Sequence, residues 1–162
     1  MKIIVIYGTN SGGTYLAAQI ISEALTGLGH QVTIKNATEA DHHELQNYDL
    51  VVMGSNTWNF SKEEGLPHEE IRKFLNKISY NNVPLENKNF AVYGLGDSSY
   101  MYFCGSVDVL EKFLSERQVK LVIPSLRIDG FYFRQAENTE KIRQWTENLG
   151  KLGVVGELGE DG

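Results

Sequence analysis

At 162 residues, with 41% hydrophobic and 22% charged side chains, the chain has the size and balance of one soluble globular domain. A net charge of −6 argues against nucleic acid as a partner and favours a basic one, or plain solubility. A single cysteine excludes an internal disulfide and cysteine-based zinc clusters, and no apolar run nears the roughly 18 residues of a bilayer span. The opening MKIIVIYGTN carries no small-residue cleavage site, so it reads as a first strand, over 2–7, in a cytoplasmic protein. Its β-branched run suits a strand buried on both faces. A loop over 8–13 follows, then a helix over 14–28 whose stripe combines Leu16, Ile20 and Ala24 with Ala17, Ile21 and Leu25, ended by Gly27 and Gly29. Residues 31–35 read as a second strand, 36–48 as a polar stretch with a short helical turn, and 50–54 (LVVMG) as a third strand.

Residues 55–66 read as a loop, with Pro67 in the first turn of a helix through Ile71, Phe74, Leu75 and Ile78. A fourth strand over 90–93 leads into a long loop over 94–105, and the next helix uses Val107, Leu110, Phe113 and Leu114. A fifth strand is expected over 119–123, bent away by Pro124, and a last helix over 138–152. Residues 153–162, with four glycines and three acids, read as a flexible tail, which leaves 1–152 as the domain. Alternation of strand and helix implies an α/β fold, a doubly wound parallel sheet with helices on both faces. Ligands of such sheets bind beyond the carboxyl ends of the strands.

Three unusual loops fall there. Thr9, Asn10, Ser11, Gly12, Gly13 and Thr14 join a buried strand to a helix N-terminus, where unpaired N–H groups favour an anion. Thr9, Ser11 and Thr14 add hydroxyl donors, but there is no Lys or Arg, and neither GxxxxGK[ST] nor GxGxxG is present. Taken alone, the segment reads equally as a Gly-rich turn. Trp58, just past the third strand, is either a lid on the core or a stacking platform. Tyr100 and Tyr102 lie in a run whose glycines Gly94, Gly96 and Gly105 leave backbone amides free to approach a ligand. An aromatic on each of two facing loops can sandwich a flat ring. A phosphate cradle beside a ring clamp describes a site for a mononucleotide with a large planar base.

These residues resemble the flavodoxins. The first loop is similar to that family's T-x-[ST]-G-x-T phosphate pattern. Ser55, Asn56, Thr57 and Trp58 look like its second loop, and GLGDSSYMYFCG looks like its third. The fifth strand lacks the long interruption of some members, and LRIDG over 126–130 also resembles the short-chain group. The resemblance implies a three-layer sandwich with a five-stranded parallel sheet in the order 2-1-3-4-5, and tightly but noncovalently bound FMN. The phosphate would meet Thr9, Asn10, Ser11, Gly12, Gly13 and Thr14, with Asn56 closing the side between Ser55 and Thr57. Trp58 and Tyr100 would flank the ring. Backbone groups of Asp97, Tyr102 and Cys104 would meet its pyrimidine edge, and those of Asn59 and Phe60 would face N5 and O4. Gly94, Leu95, Gly96 and Phe103 complete the third loop. The implied activity is that of a low-potential one-electron carrier and not an enzyme, cycling mainly between semiquinone and hydroquinone. It would be a monomer docking transiently on redox proteins with basic surfaces. Asn59 stands where the family often has Gly, and Lys62 where acids are common.

Other chemistry is weaker. His42 and His43 are adjacent and should point apart, and with His30 and His68 they read as solvated surface, so no metal and no catalytic residue is expected. Glu69 and Glu70 suit the first turn of a helix.

Overall fold

The computed structural model describes residues 1–9, 12–60, 63–97 and 104–161, and for 58–60, 63–65 and 153–161 it describes the backbone alone. Five parallel strands run in the order β2-β1-β3-β5-β6, where β1 is Lys2–Gly8, β2 Gln31–Asn36, β3 Leu50–Phe60, β5 Phe90–Gly96 and β6 Leu126–Asp129. A short antiparallel strand, β4 (Glu63–Pro67), pairs with the end of β3. The helices are α1 (Gly13–Gly27), α2 (Glu69–Tyr80), α3 (Gly105–Ser115) and α4 (Gln135–Asp161), with a 3₁₀ turn at His42–Asn47. Strand–helix alternation predicted the doubly wound parallel sheet, and the resemblance its order 2-1-3-4-5, which the five parallel strands follow.

Period-two alternation divides each central strand between two cores. Ile3 and Val5 of β1 pack with Ala17, Ile21 and Leu25 of α1 and with Ile142, Trp145 and Leu149 of α4. Ile4 and Ile6 face the other way, toward Ile71, Phe74 and Ile78 of α2 and Val107, Leu110 and Leu114 of α3. The result is three layers, with both sheet faces covered.

Four boundaries differ from expectation. The expected loop over 55–66 is instead a hairpin, because β3 continues to Phe60 and folds back as β4. Pro67 therefore ends β4, and α2 starts at Glu69, with the His68 side chain accepting from Glu70 N–H as its cap. The fifth strand is Leu126–Asp129 and not 119–123. The earlier segment makes only a bridge between Leu121 and Phe90, with Val122 N–H donating to the Phe90 carbonyl. Pro124, which has no N–H, interrupts it before pairing can propagate. Finally, α4 starts at Gln135 and its backbone stays helical to Asp161, across the segment read as a tail.

Candidate functional site

The three segments lie at the carboxyl-end halves of β1, β3 and β5, which are neighbours in the sheet. Gly8, the last residue of β1, is in register with Ser55, and Ser55 with Gly94, so the three come to one level of the sheet. The chain leaves β1 for β2 on one side and returns to β3 on the other, so the crevice lies at the switch point of the sheet.

The first loop is built on glycine. Gly12 caps α1 with φ +88° and offers no side chain, while its N–H donates to Thr9 Oγ1 at 2.9 Å. A Cβ on Gly13 would sit 2.8 Å from Leu95 Cδ2, so any larger residue there would push the Leu95 methyl aside. The first N–H groups of α1, which no helical carbonyl satisfies, point into the crevice end of the sheet. Thr14 departs from the expected role. Its hydroxyl is fully buried and donates to the Gly8 carbonyl at 2.7 Å, so only its backbone N–H is left for a ligand. The Thr14 carbonyl accepts in turn from Tyr93 Oη at 2.9 Å. Burial holds the Tyr93 phenol well above its ordinary pKa. A strut thus runs from β5 to the first turn of α1.

In the second loop, Ser55 is structural. Its hydroxyl donates to the Asn56 carbonyl and accepts from His68 N–H, both at 2.8 Å. Thr57 Oγ1 lies 3.1 Å from Ser106 Oγ and ties β3 to α3. Asn56 is different, because its Oδ1 is buried with no hydrogen-bond partner among the described residues. A buried amide oxygen of that kind is costly unless something else meets it. Pairing of β3 with β4 shifts register between Trp58 and Phe60, where Asn59 alone on β3 stands opposite residues 64–65, so the extra residue lies on β4.

Gly94, Leu95 and Gly96 belong to β5 rather than to a free loop. A Cβ on Gly94 would meet Val107 Cγ2 at 2.5 Å, and one on Gly96 would meet Cys104 N at 2.7 Å. These glycines admit α3, and the expected freedom of their amides for a ligand gives way to strand pairing. Cys104 caps α3 in the left-handed region, at φ +50°. Its thiol is buried against the Gly94 and Ile128 carbonyls, and burial pushes its pKa up to about 12. Arg127 Nη1 holds the Cys104 carbonyl at 3.2 Å, while Nη2 bonds Asp108 at 2.6 Å. The thiol is inert, so the backbone is what Cys104 can offer a ligand.

Asn10, Ser11, Tyr100, Tyr102 and Phe103 lie outside the described residues, as do the side chains of Trp58, Asn59 and Phe60. Asp97 follows β5 directly and is partly buried. One residue was missed in sequence. Tyr132, from the loop between β6 and α4, has its Oη 3.5 Å from a Cβ position on Gly13. Only the aromatic run FYF after Gly130 hints at it. Away from the crevice, two expectations about histidine fail. His30 is buried, with Nδ1 2.9 Å from the Met1 amino group. The His42 and His43 rings do not point apart but lie 4.1 Å apart between centroids, because a 3₁₀ turn capped by Asp41 carries them. Asp41, His42 and His43 bring ligand atoms within 4.8 Å of one another, yet Asp41 Oδ1 already accepts from His43 N–H.

A family model for flavodoxin matches residues 5–145. The flavodoxin of Maridesulfovibrio salexigens is 36% identical over 130 residues, which is 80% of this chain and 86% of that protein. Among solved structures, oxidised flavodoxin 2 from Bacillus cereus superposes with a TM-score of 0.77 at 30% identity, covering 94% of this chain and 97% of that one. A Fusobacterium nucleatum flavodoxin bound to flavin mononucleotide gives a TM-score of 0.77 at 17% identity, covering 93% and 97%.

Proposed function

The chain belongs to the flavodoxin family, and on that premise we propose that it is an electron carrier holding FMN noncovalently in the crevice over β1, β3 and β5. The observation that carries this reading is the crevice itself. It combines a backbone cradle at Gly12 and Gly13 with the orphaned, buried Asn56 Oδ1. A ligand with an anionic end and a hydroxylated middle suits both features.

In this reading the phosphate sits on the N–H groups of residues 10–14, with hydroxyls from Thr9 and Ser11, and the Asn56 amide meets the ribityl–phosphate side. Trp58 and Tyr100 enclose the flat ring, and the amides of Asp97, Tyr102 and Cys104 meet its pyrimidine edge. Bound FMN supplies reversible one-electron chemistry. The chain's own residues set how readily charge is accepted. Aromatic walls exclude water, and Asp97 adds negative charge beside the ring edge. Arg127, the cation near Cys104, is already committed to Asp108 and Glu111. Added negative charge on the ring is therefore opposed, which lowers the potential of the second electron. The bulge in β4 opposite Asn59 breaks the regular pairing of that part of β3, leaving its peptide able to turn a carbonyl toward the ring.

Three further readings belong to the same proposal. The protein works in the cytoplasm, as a monomer, and docks transiently on basic surfaces of redox partners, in keeping with a net charge of −6. Among the described residues no helix is long and apolar enough to cross a membrane. The test is an absorption spectrum during stepwise anaerobic reduction. Two flavin bands, replaced at half reduction by a long-wavelength blue species, are the expected result. Direct bleaching without that species points to two-electron chemistry, and absence of bound flavin after adding FMN overturns the reading.

A further inference from the structure

Cys104 stands at the N-cap of α3 with φ +50° and ψ +37°, a left-handed conformation that residues with a side chain rarely adopt. Such a conformation persists only where its surroundings hold it. Two sets of contacts do so here. The thiol lies 3.6 Å from the Gly94 carbonyl on β5 and 3.7 Å from the Ile128 carbonyl on β6. The Cys104 carbonyl accepts twice, from Val107 N–H at 2.9 Å and from Arg127 Nη1 at 3.2 Å. Side chain and carbonyl are both anchored, and the N–H is the group that the FMN reading directs to the pyrimidine edge.

Arg127 reaches the start of α3 from β6, where it is in register with Gly94. Its guanidinium is a rigid planar fork, so fixing one prong aims the other. Nη2 is fixed by Asp108 at 2.6 Å and Glu111 at 3.5 Å, which lie one turn apart on α3. Ser125 Oγ donates to the second Glu111 oxygen at 2.9 Å and steadies that carboxylate. The Arg127 carbonyl is tied too, accepting from Lys141 Nζ at 3.1 Å. With Nη2 held, Nη1 meets the Cys104 carbonyl. Two carboxylates offset the single positive charge, so what Arg127 offers the crevice is geometry rather than a positive field.

We propose that Arg127 is a positioning residue, which fixes the Cys104 N–H against the pyrimidine edge of FMN by holding the Cys104 carbonyl, and thereby sets the potential of the second electron. The proposal rests on the FMN reading of this crevice. An N–H bonds a charged acceptor more strongly than a neutral one, so a fixed donor at that edge gains most when the ring carries its extra negative charge. Arg127 therefore acts unequally on the two one-electron potentials.

The test is potentiometry of the FMN-loaded protein, with FMN titration of the apoprotein beside it. Arg127→Lys keeps the charge but loses the fork. Its second potential should fall by about 59 mV, the equivalent of a tenfold selective loss of the more negative state, while the first shifts by less than the equivalent of about twofold. Arg127→Met combined with Asp108→Asn removes one charge of each sign and should show the same fall. A merely structural role weakens every redox state alike. It would raise the FMN dissociation constant and leave both potentials in place, and that result overturns the proposal. Parent potentials in Arg127→Lys and in the charge-balanced double variant, beside a fall in Arg127→Met alone, would show an effect of charge and overturn it as well. Either result leaves the FMN reading standing, whereas failure of the unmodified protein to bind FMN removes both.

Discussion

Substituting Gly54 by alanine tests how the sheet supports the crevice. Gly54 lies on β3, directly paired with Tyr93 on β5. A Cβ there would fall among the Tyr93 ring carbons, 2.5 Å from Cε2, where contacting carbons need about 3.5 Å or more. The nearer ring carbons lie closer still, so the ring would have to move by well over 1 Å, and it is held at both ends. One end is the β5 backbone in a fully buried position, and the other is the Oη bond to the Thr14 carbonyl at 2.9 Å. Overpacking of this kind costs about 1–3 kcal/mol, and loss of the phenol bond adds about 1 kcal/mol. Gly54→Ala should therefore lose about 2–4 kcal/mol in urea unfolding of the apoprotein. Because the strut ends on the first turn of α1, FMN affinity should fall with stability. Tyr93→Leu makes room, so the alanine should cost at least about 1 kcal/mol less in that background. A Gly54→Ala protein within about 0.5 kcal/mol of the parent, or strictly additive double-mutant energies, would refute the argument.

Three other outcomes follow from the same geometry. Burial raises the Cys104 thiol to about 12 from its ordinary 9.0, so the unfolded chain ionises first as pH rises. Stability from this group is complete below about pH 9 and is lost as pH climbs toward 12. Cys104→Ala should flatten that alkaline limb, and native protein should resist thiol-directed alkylation at pH 8. Asn59→Gly frees the backbone at the register shift, and potentiometry should show the two one-electron potentials moving further apart; unchanged potentials would count against that peptide as a moving part. We further propose that residues 153–162 are dispensable. Glycines at 153, 156 and 159 each cost about 1 kcal/mol in a helix, so a chain ending at Leu152 should match the full chain in melting temperature and FMN affinity.

The fold was readable because its central strands are continuous apolar runs and its helices carry clear stripes. Ile3 to Ile6 announce burial on both faces without any help from context. The crevice was readable for the opposite reason, since glycines, hydroxyls and aromatics interrupt those patterns where β1, β3 and β5 end. What escaped depends on pairing. Residues 55–66 look like a polar loop until the register of β3 with β4 is known, because their strand character comes from each other and not from composition. The apolar run over 119–123 drew the fifth strand to itself, whereas Pro124 passes the pairing on to the less obvious Leu126–Asp129. Hydroxyl roles were least legible. The buried acceptor at Gly8 claims Thr14, and the turn into α2 claims Ser55, and neither demand has a local signature. Tyr132 lies too far along the chain from Gly13 for spacing to connect them.

Strand β6 lies at the margin of the sheet, and an exposed margin is an invitation for a stray chain to add itself. Here the invitation is withdrawn by chemistry already in place. The strand is only four residues long, and Pro124 sits just ahead of it. Lys141 Nζ bonds the Arg127 carbonyl at 3.1 Å and Asn138 Nδ2 the Asp129 carbonyl at 3.0 Å, both reaching down from α4. Those two oxygens, which an incoming strand would need as acceptors, are occupied by the protein's own helix. The sheet stops there through its own side chains, and a strand from another copy would find those two acceptors already taken.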